Sequence, residues 1–515
     1  MHVKIRKRIG NPTLYNAKIN YSLSAFLGLA CTGILLSSCS ENNDDPSSKP
    51  DRTTTDEMYY ANQFARDMLE TYYYWNKEIA GDLPLLDPET NNDPITTVDQ
   101  IKYHEGDKVI DKWTMLTNDF KSFTSGVEGV ATTYGYMPVT YLLSEQGNEC
   151  ISAIAYVHKG SPAEKAGLKR GDLIYQIDGK PLTTANYTEL FNSSSITLSL
   201  AELGADNVIT PTGKTVSMNA VEMYEDPILC DSIYDINGKK VGYLAYSSFD
   251  LASIPQLVEI SKKFKAEGVK ELILDLRYNG GGYVITESAM ASMYAPQEAV
   301  SSKKIFEKEE YNDLLTAYYE QEGISTETPF QTEYKVESAN LNISTKDANI
   351  GLEKVYGIIS GNSASASEAL LSGLMPYMNV ELIGEQSHGK YCTGFMLGTS
   401  DVYEKVPAAI ENWGIYVMVS IYKNANNETP CMPDGLTPDV AASDDPFVMT
   451  QLGDVNEAML KTALTQAGKT YPAEQSSRSM NLRMKEMPMQ HKANFGKRIL
   501  LPATTHIQHQ GLTAE

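Results

Sequence analysis

The chain is poor in positive charge: 43 lysines and arginines stand against 66 acidic residues, and the formal net charge is −23 over 515 residues. Such a surface repels phosphate backbones, which excludes nucleic acid and anionic membrane surfaces as partners. The acidity itself requires no role beyond solubility. With 42% hydrophobic and 21% charged residues, the composition is that of an ordinary globular protein with room for several domains.

Cysteine is also scarce, with six in the whole chain. The four that lie beyond the N-terminal region are Cys150, Cys230, Cys392 and Cys431. They are spread widely along the sequence and form none of the closely spaced pairs that bind zinc, so no metal is expected. Nothing else in the sequence calls for an organic cofactor.

The uncharged N-terminal run at 21–36 is too short to span a bilayer, for which roughly 20 residues are needed. It follows a basic segment without acids and leads into Leu36-Ser37-Ser38-Cys39, a pattern typical of a secretory signal. The last four residues resemble a bacterial lipobox, in which the cysteine is acylated. We therefore expect a signal over 1–39, a lipid on Cys39 and a place in the bacterial cell envelope, on the periplasmic face of the outer membrane or the cell surface. A buried cysteine in a short apolar helix is the alternative.

The rest of the chain divides by its periodicity. Apolar residues at helical spacing begin near residue 56, a β-rich stretch follows residue 130, and strand–helix–strand patterns follow residue 240. That last pattern predicts parallel strands joined by right-handed crossovers. The predicted regions are a flexible tether at 40–54, a helical domain at 55–128, a β-rich domain at 130–220, an α/β core at 221–450 with a helical insertion at about 300–340, and a C-terminal segment at 451–515 with a helix and a disordered tail.

One string in the β-rich region is specific. Within Gly160–Leu168, Ser161 is placed to cap a short helix, Glu164 completes a capping box and Gly167 ends the helix. The apolar strand Leu173–Ile177 follows. The whole string resembles the PDZ domains attached to bacterial proteases.

Two segments of the core carry candidate chemistry. Asp275–Gly282 ends a buried strand in three glycines, whose amides can point at a ligand. Ser363–Glu368 joins a strand to a helix and places Ser365 where free amides stabilise an oxyanion, although capping alone is the alternative role for its serines. Lys390 follows the next strand beside a glycine, and a lysine buried there can act as a base.

Together these segments resemble the C-terminal processing peptidases, also called tail-specific proteases. The family pattern D-L-R-x-N-x-G-G is met by Asp275–Gly282, S-A-S-A-S-E by Ser363–Glu368, and the G-K pair by Gly389-Lys390, at the separation from Ser365 that the family has. The resemblance covers roughly 55–445. It implies a multidomain α/β (α+β) fold with a crotonase/ClpP-like core, an inserted PDZ-like domain and an N-terminal helical domain.

The resemblance also assigns roles to residues. It implies that Ser365 is the nucleophile and Lys390 the base, and that the oxyanion hole uses the amides of Ala366, Gly281 and Gly282. It suggests a disulfide between Cys392 and Cys431, because Cys431 shortly precedes a segment, Gly435–Asp439, that returns to the core in this family.

The chain departs from the family at two points near the lysine. The family commonly has a glutamine four residues after it, whereas this chain has Gly394, so the third catalytic residue stays unassigned. His388 stands where an aromatic residue is frequent, which leaves a Ser–His pairing as an alternative. Near the first strand of the PDZ-like domain, residues 135–139 are an unusual sequence for the loop that binds a peptide carboxylate in PDZ domains.

These features predict a serine endopeptidase that forms an acyl-enzyme on polypeptide substrates, with the PDZ-like domain binding or gating their chain ends. One alternative is a catalytically silent peptide-binding lipoprotein with the same fold. Another is an acyl-CoA-handling enzyme of the crotonase type, which secretion and the PDZ-like domain oppose.

Overall fold

The computed structural model describes residues 3–4, 52–144, 146–204, 208–445, 447–448, 450–472, 485–487, 496–501 and 508–509. The predicted signal over 1–39 (residues 3–4 apart), with Cys39, and residues 40–51 of the predicted tether lie outside this part of the chain. Among the described residues, no helix is both long enough and apolar enough to cross a membrane.

The N-terminal region is helical, as its periodicity predicts, but it shares its core with the rest of the protein. Its main elements are α1 (Asp56–Tyr72), α2 (Pro94–Ile101), β1 (Met115–Thr117) and α3 (Phe120–Val127). Buried residues of α1, such as Phe64 and Met68, belong to the same hydrophobic cluster as the α/β core. The region therefore packs its apolar face onto the core.

The β-rich region forms a sheet with two short helices. Its elements are β2 (Tyr136–Leu142), β3 (Cys150–Val157), α4 (Pro162–Lys165), β4 (Leu173–Ile177), α5 (Glu189–Asn192), β5 (Ser195–Leu203) and β6 (Ile209–Asn219). The strand order is β6-β5-β4-β3-β2. The predicted N-cap is confirmed: Ser161 Oγ accepts from Glu164 N at 3.1 Å, and Gly167 has φ +81°. The predicted capping box is wrong in its second bond, because Glu164 Oε2 accepts from Gly160 N at 2.6 Å, whereas Ser161 N donates to His158 O at 3.3 Å.

The α/β core is built on a six-stranded sheet in which most neighbouring strands are parallel. Its elements are β7 (Ile228–Ile236), β8 (Lys239–Tyr246), α6 (Ile254–Ala266), β9 (Glu271–Asp275), β10 (Gly281–Tyr283) and α7 (Val284–Tyr294). Strands β8 and β9 are parallel and α6 connects them, as the sequence predicts. Strand β9 ends at Asp275, and the glycine loop follows it.

The prediction of a helical insertion at about 300–340 is only partly right, because the stretch contains strands as well as helices. The stretch contains α8 (Gln297–Ser301), β11 (Ile305–Tyr311), α9 (Asp313–Glu322), β12 (Glu327–Pro329) and β13 (Glu333–Val336), and β14 (Leu341–Ser344) follows. Strand β11 pairs with a long core strand through residues 307–311. This long-range pairing outweighs the polar composition that suggested helix.

The second half of the core supplies the remaining strands. Its elements are β15 (Lys354–Ile359), α10 (Ala366–Leu374), β16 (Asn379–Gly384), β17 (Cys392–Gly398), α11 (Thr399–Val402), β18 (Gly414–Asn424), β19 (Val440–Ala441) and α12 (Ala458–Gln466). Strands β15, β16 and β19 complete the parallel sheet beside β9. Strands β17, β18 and β11 form a second, antiparallel sheet, to which β1 adds.

The prediction of an unstructured tail is wrong for two pieces of the C-terminal segment. Strand β20 (Lys485–Glu486) pairs antiparallel with β2, and β21 (Lys497–Ile499) pairs parallel with β10 and with Gly394 of β17. Both strands are short and make long-range contacts, so the local sequence pattern does not reveal them.

A buried ionic network joins the PDZ-like domain to the core. The Arg277 guanidinium of the D-L-R motif binds Asp275, Glu457 and Asp444. Asp444 also pairs with Arg170 of the PDZ-like domain at 2.6 Å. Because Arg277 and Glu457 are almost fully buried, removing one partner would leave an uncompensated charge. The network fixes the loop that follows β9.

Candidate active site

Ser365 lies on a sharp turn between β15 and α10. Its φ of 65° and ψ of −113° are outside the conformations that residues with a side chain usually adopt. It stands at the N-cap position, so Ala366 is the first helical residue and its amide has no acceptor within the helix. Backbone strain of this kind concentrates at functional sites.

The three alternating serines have different partners. Ser363 Oγ donates to Leu276 O at 2.8 Å, and Ser367 Oγ donates to Asn279 O at 2.9 Å. The Ser365 hydroxyl between them has no hydrogen-bond partner among the described residues, although it is fully buried. The outer two serines therefore hold the turn against the glycine loop, whereas Ser365 is the N-cap of α10 in a capping-box arrangement with Glu368.

A carboxylate that sequence reasoning left without a role organises the site. Glu368 Oε2 accepts from the backbone N–H groups of Ser365 and Lys390, at 2.7 and 2.9 Å. Its Oε1 accepts from Gly389 N at 2.7 Å and from the Ser387 hydroxyl. Burial raises the pKa of Glu368 to about 7, against the hydrogen bonds that lower it. The sequence did contain a signal for this role, because Glu368 is the last residue of the S-A-S-A-S-E motif.

Lys390 is fully buried, and it lies beside aromatic rings. Its Nζ is 5.3 Å from the ring centroid of Trp113 and donates to Tyr416 Oη at 2.9 Å. Among the described residues no carboxylate forms an ion pair with this amine. Burial lowers the pKa of Lys390 to about 8, because the charged form loses its hydration. About a tenth of the amine is therefore neutral at pH 7, far more than for an unperturbed lysine with a pKa of about 10.4.

Tyr416 is the hydrogen-bond partner of the Lys390 amine. A side chain at Gly394 would meet the Tyr416 ring at 2.5 Å and Met418 at 2.6 Å, so only glycine leaves room for this tyrosine. The Tyr416 hydroxyl in turn accepts from Lys390. The sequence signal was indirect: a missing glutamine implies another holder of the lysine, but not which one.

The glycine loop contacts the nucleophile directly. The Cβ position of Gly281, whose φ is +112°, lies 2.9 Å from Ser365 Cβ, so any side chain there would collide with the nucleophile. The Gly281 amide, one of the three expected oxyanion donors, donates instead to Asn279 Oδ1 at 2.9 Å. The amides of Ala366 and Gly282 stay predictions. Asn279 O accepts from Ala364 N at 3.1 Å and so ties the loop to the serine turn.

The structure does not join the two predicted catalytic side chains by a hydrogen bond, because the Lys390 amine contacts Tyr416. The ring of His388 bonds to the backbone of Gly361, and burial lowers its pKa. No contact between His388 and the Ser365 hydroxyl is present, since that hydroxyl has no partner among the described residues.

The predicted disulfide between Cys392 and Cys431 is wrong. All four cysteines of the described residues are free thiols. Cys392 Sγ lies 3.2 Å from Met418 Sδ, whereas Cys431 Sγ contacts the hydroxyl of Tyr422. Each thiol thus packs against a different residue of strand β18. In the described part of the chain, no group of three His, Cys, Asp or Glu side chains is arranged to hold a metal ion.

Comparisons with known proteins agree with this geometry. Residues 240–442 match peptidase family S41, and residues 154–197 match the PDZ domain. The fold is that of an S41 peptidase with a PDZ domain. A structure from Bacteroides fragilis described as an S41 protease superposes with a TM-score of 0.60 and 23% identity, and the match covers 78% of this chain and 96% of that one.

Curated relatives point the same way. The carboxy-terminal processing protease CtpA of Bacillus subtilis is 25% identical over 239 residues, which is 45% of this chain and 43% of that protein. The carboxyl-terminal-processing protease of a Picosynechococcus strain is 25% identical over 321 residues, or 59% of this chain and 64% of that protein. The matches thus span less than two thirds of either relative. They support the C-terminal processing peptidase family.

Proposed function

We propose that this protein is a serine endopeptidase in which Ser365 is the nucleophile and Lys390 the general base. The observation that carries the proposal is the shared carboxylate: Glu368 holds the backbone of both residues on one oxygen. The backbone of a serine with a buried, unpartnered hydroxyl and the backbone of a buried lysine with a lowered pKa thus meet at one carboxylate oxygen of the described structure. Perturbed groups in this arrangement are typical of catalytic sites.

The chemistry follows from a neutral Lys390 amine. One N–H donates to Tyr416, and the lone pair takes the Ser365 proton as Oγ attacks the carbonyl carbon of a substrate peptide bond. The ammonium then returns that proton to the leaving amine nitrogen, which leaves an acyl-enzyme ester on Ser365. Water, deprotonated by Lys390, hydrolyses the ester and releases the new carboxyl end of the substrate.

The negative charge on the attacked carbonyl oxygen needs donors. The Ala366 amide at the start of α10 and the Gly282 amide are our candidates, since Gly281 N is engaged with Asn279. Removing one such donor commonly costs about 100- to 1000-fold in kcat. Since both candidates are backbone amides, their positions depend on the turn that Ser363 and Ser367 hold.

The decisive experiment compares variants on an unstructured polypeptide such as reduced, alkylated casein. Ser365→Ala and Lys390→Ala should each lower kcat by at least about 10⁴-fold, and the double variant should lose little more, because the two residues act as one unit. His388→Ala should keep substantial activity. An inactive wild type that still binds peptides would favour the silent scaffold instead.

We propose that the PDZ-like domain binds substrate chain ends by strand addition at β2. The antiparallel pairing of β20 with β2 supports the idea, because strand addition uses the same kind of backbone pairing at the edge of a sheet. A fluorescent peptide with a free carboxyl end should bind, and the same peptide amidated should bind at least tenfold more weakly. Equal affinities would contradict capture of the chain end.

We further propose export and lipid anchoring through Cys39. The basic start, the short apolar run and the Leu36–Cys39 pattern support this. Cys39→Ala should move the protein from the membrane fraction to the soluble fraction, or leave the signal uncleaved. Unchanged membrane recovery would contradict it, and protease treatment of intact cells would distinguish the surface from the periplasm.

A further inference from the structure

A buried acidic pocket lies next to the candidate active site, and the chain fills it with its own arginine. Glu287 of α7 and Glu307 and Glu309 of β11 surround the guanidinium of Arg498. Arg498 Nε is 2.8 Å from Glu287 Oε2, and the two terminal nitrogens bind the three carboxylates together with the Thr393 hydroxyl. Arg498 and Glu287 are fully buried, and the other two glutamates nearly so.

The pocket and its occupant come from different parts of the chain. The glutamates lie on α7 and β11, inside the region that matches the peptidase family, while Arg498 lies well beyond residue 442, where that match ends. Burial raises the pKa of both Glu287 and Glu307, and the positive charge of Arg498 opposes this rise. Three carboxyl groups are more than one guanidinium needs to balance its charge. Such a pocket selects a cationic side chain.

The backbone around Arg498 occupies a slot beside the nucleophile. Strand β21 lies between β10, which carries the glycine loop, and β17, which follows Lys390. Gly496 N donates to Gly280 O at 2.7 Å, and Leu500 N donates to Gly394 O at 3.0 Å. The slot is therefore one strand wide and is lined on both sides by backbone groups of the catalytic segments.

The same strand passes directly over the candidate site. The Cβ position of Gly281 lies 2.4 Å from Lys497 O and 2.9 Å from Ser365 Cβ, so this carbonyl lies close to the nucleophile. Tyr416, which holds the catalytic lysine, also accepts from Arg498 N at 3.0 Å and donates to Arg498 O at 3.1 Å. An extended peptide in this slot thus contacts the glycine loop and the tyrosine that holds Lys390.

We propose that this slot is the peptide-binding cleft and that Glu287, Glu307 and Glu309 form a specificity pocket for an arginine side chain of the polypeptide substrate. Residues 496–501 are then a competing occupant supplied by the chain itself. The inference rests on the proposed peptidase function. Arginine is favoured over lysine because its planar fork reaches all three carboxylates, whereas one ammonium is a compact point charge.

Cleavage of matched peptides by the full-length chain tests the pocket. The substrate is an internally quenched peptide with the sequence of residues 494–501, compared with versions that carry Arg498→Lys or Arg498→Ala. The enzyme is wild type or Arg498→Ala, with Arg66→Ala, a half-exposed arginine, as the matched control. Arg498→Ala enzyme should cleave the arginine peptide with a kcat/KM at least about 100-fold above that for the alanine peptide.

Two further results are expected in the same assay. Wild-type enzyme should show a higher KM for the arginine peptide than Arg498→Ala enzyme, because its own segment competes, and Arg66→Ala should behave as wild type. Adding Glu309→Gln to the Arg498→Ala enzyme should reduce the preference for arginine at least tenfold. If the enzyme cleaves casein but has the same kcat/KM for the arginine and alanine peptides, the proposed arginine pocket is wrong, whereas the proposed peptidase function is unaffected.

A displacement experiment covers the case in which Arg498→Ala fails to fold. Hydrogen exchange of the wild-type chain is measured with the arginine peptide or the alanine peptide in excess. The arginine peptide should speed exchange of the amides at 497–500, and the alanine peptide should not. No effect of either peptide would identify β21 as a permanent strand and overturn the proposal. Failure of the peptidase function would appear separately, as wild type without casein cleavage or labelling of Ser365.

Discussion

Ser365 and Lys390 lie on separate segments of the chain, with strand β16 between them, yet their backbone amides donate to the same oxygen of Glu368, at 2.7 and 2.9 Å. The serine turn and the lysine loop are thereby one rigid unit. Because the donors are buried, their hydrogen bonds with a carboxylate are stronger than those in water. The relative position of nucleophile and base thus depends on a third residue that touches neither reacting atom.

Glu368→Gln tests that dependence. The amide keeps the size of the carboxylate but turns an NH₂ group toward buried donors, each of which costs about 1–3 kcal/mol when unsatisfied. We expect kcat to fall at least about 100-fold and the melting temperature to drop by several degrees. Steady-state kinetics and thermal denaturation measure the two effects. The exposed Glu411→Gln is the matched control, and wild-type kinetics in Glu368→Gln would refute the positioning role.

Tyr416→Phe tests the substitute for the missing glutamine. The ring still fills the space beside Gly394, but the hydroxyl that accepts from Lys390 is lost. We expect kcat to fall about 10- to 100-fold, as when a partner that orients a functional group is removed. Tyr403→Phe removes a similarly buried hydroxyl that binds Asp67 away from the site, and it should leave kcat unchanged.

The pH dependence of activity tests the role of the lysine amine. Only neutral Lys390 can accept the proton, and burial lowers its pKa to about 8. The kcat/KM should therefore rise about tenfold per pH unit below pH 8 and level off above it. Measurement between pH 6 and 10 decides the point. A half-maximum near the roughly 10.4 of an unperturbed lysine would mean that the amine is not buried in the active enzyme.

Because Cys392 and Cys431 are free thiols, a reductant should not change the thermal stability of the protein. A disulfide between Cys392 and Cys431 would stabilise by about 3–4 kcal/mol, and each kcal/mol shifts the melting temperature by about 2–4 °C in a domain of about 150–250 residues. Because both thiols contact other partners, dithiothreitol should not change the melting temperature. The melting temperature of the Cys431→Ser variant should likewise be the same with and without reductant. If reduction lowered the melting temperature of the wild type by several degrees, the prediction of a disulfide between Cys392 and Cys431 would be right after all.

Local patterns predicted much of this molecule. Strands β8, β9, β15 and β16, helix α6 and the helix cap at Ser161 all follow from hydrophobic periodicity and turn residues. The segments that hold Ser365 and Lys390 were found through motif spacing. These features are local, so the sequence contains them in short windows.

Features that depend on distant partners were missed. Strand β21 is very short, and the buried position of Arg498 depends on glutamates that lie far earlier in the chain, on α7 and β11. Strand β11 was hidden by its polar composition. Tyr416 became a partner of Lys390 only because Gly394 on the neighbouring strand leaves it room. No window of the sequence holds both members of these pairs.

The most direct test of the Ser365–Lys390 assignment is covalent labelling with a fluorophosphonate, with the modified residue located by mass spectrometry. The wild type should carry one adduct, on Ser365, at a rate that rises with pH to a plateau above about pH 8. Lys390→Ala should remain unlabelled, and His388→Ala should be labelled as the wild type is. Labelling of Lys390→Ala at the wild-type rate, or loss of labelling in His388→Ala, would contradict the account.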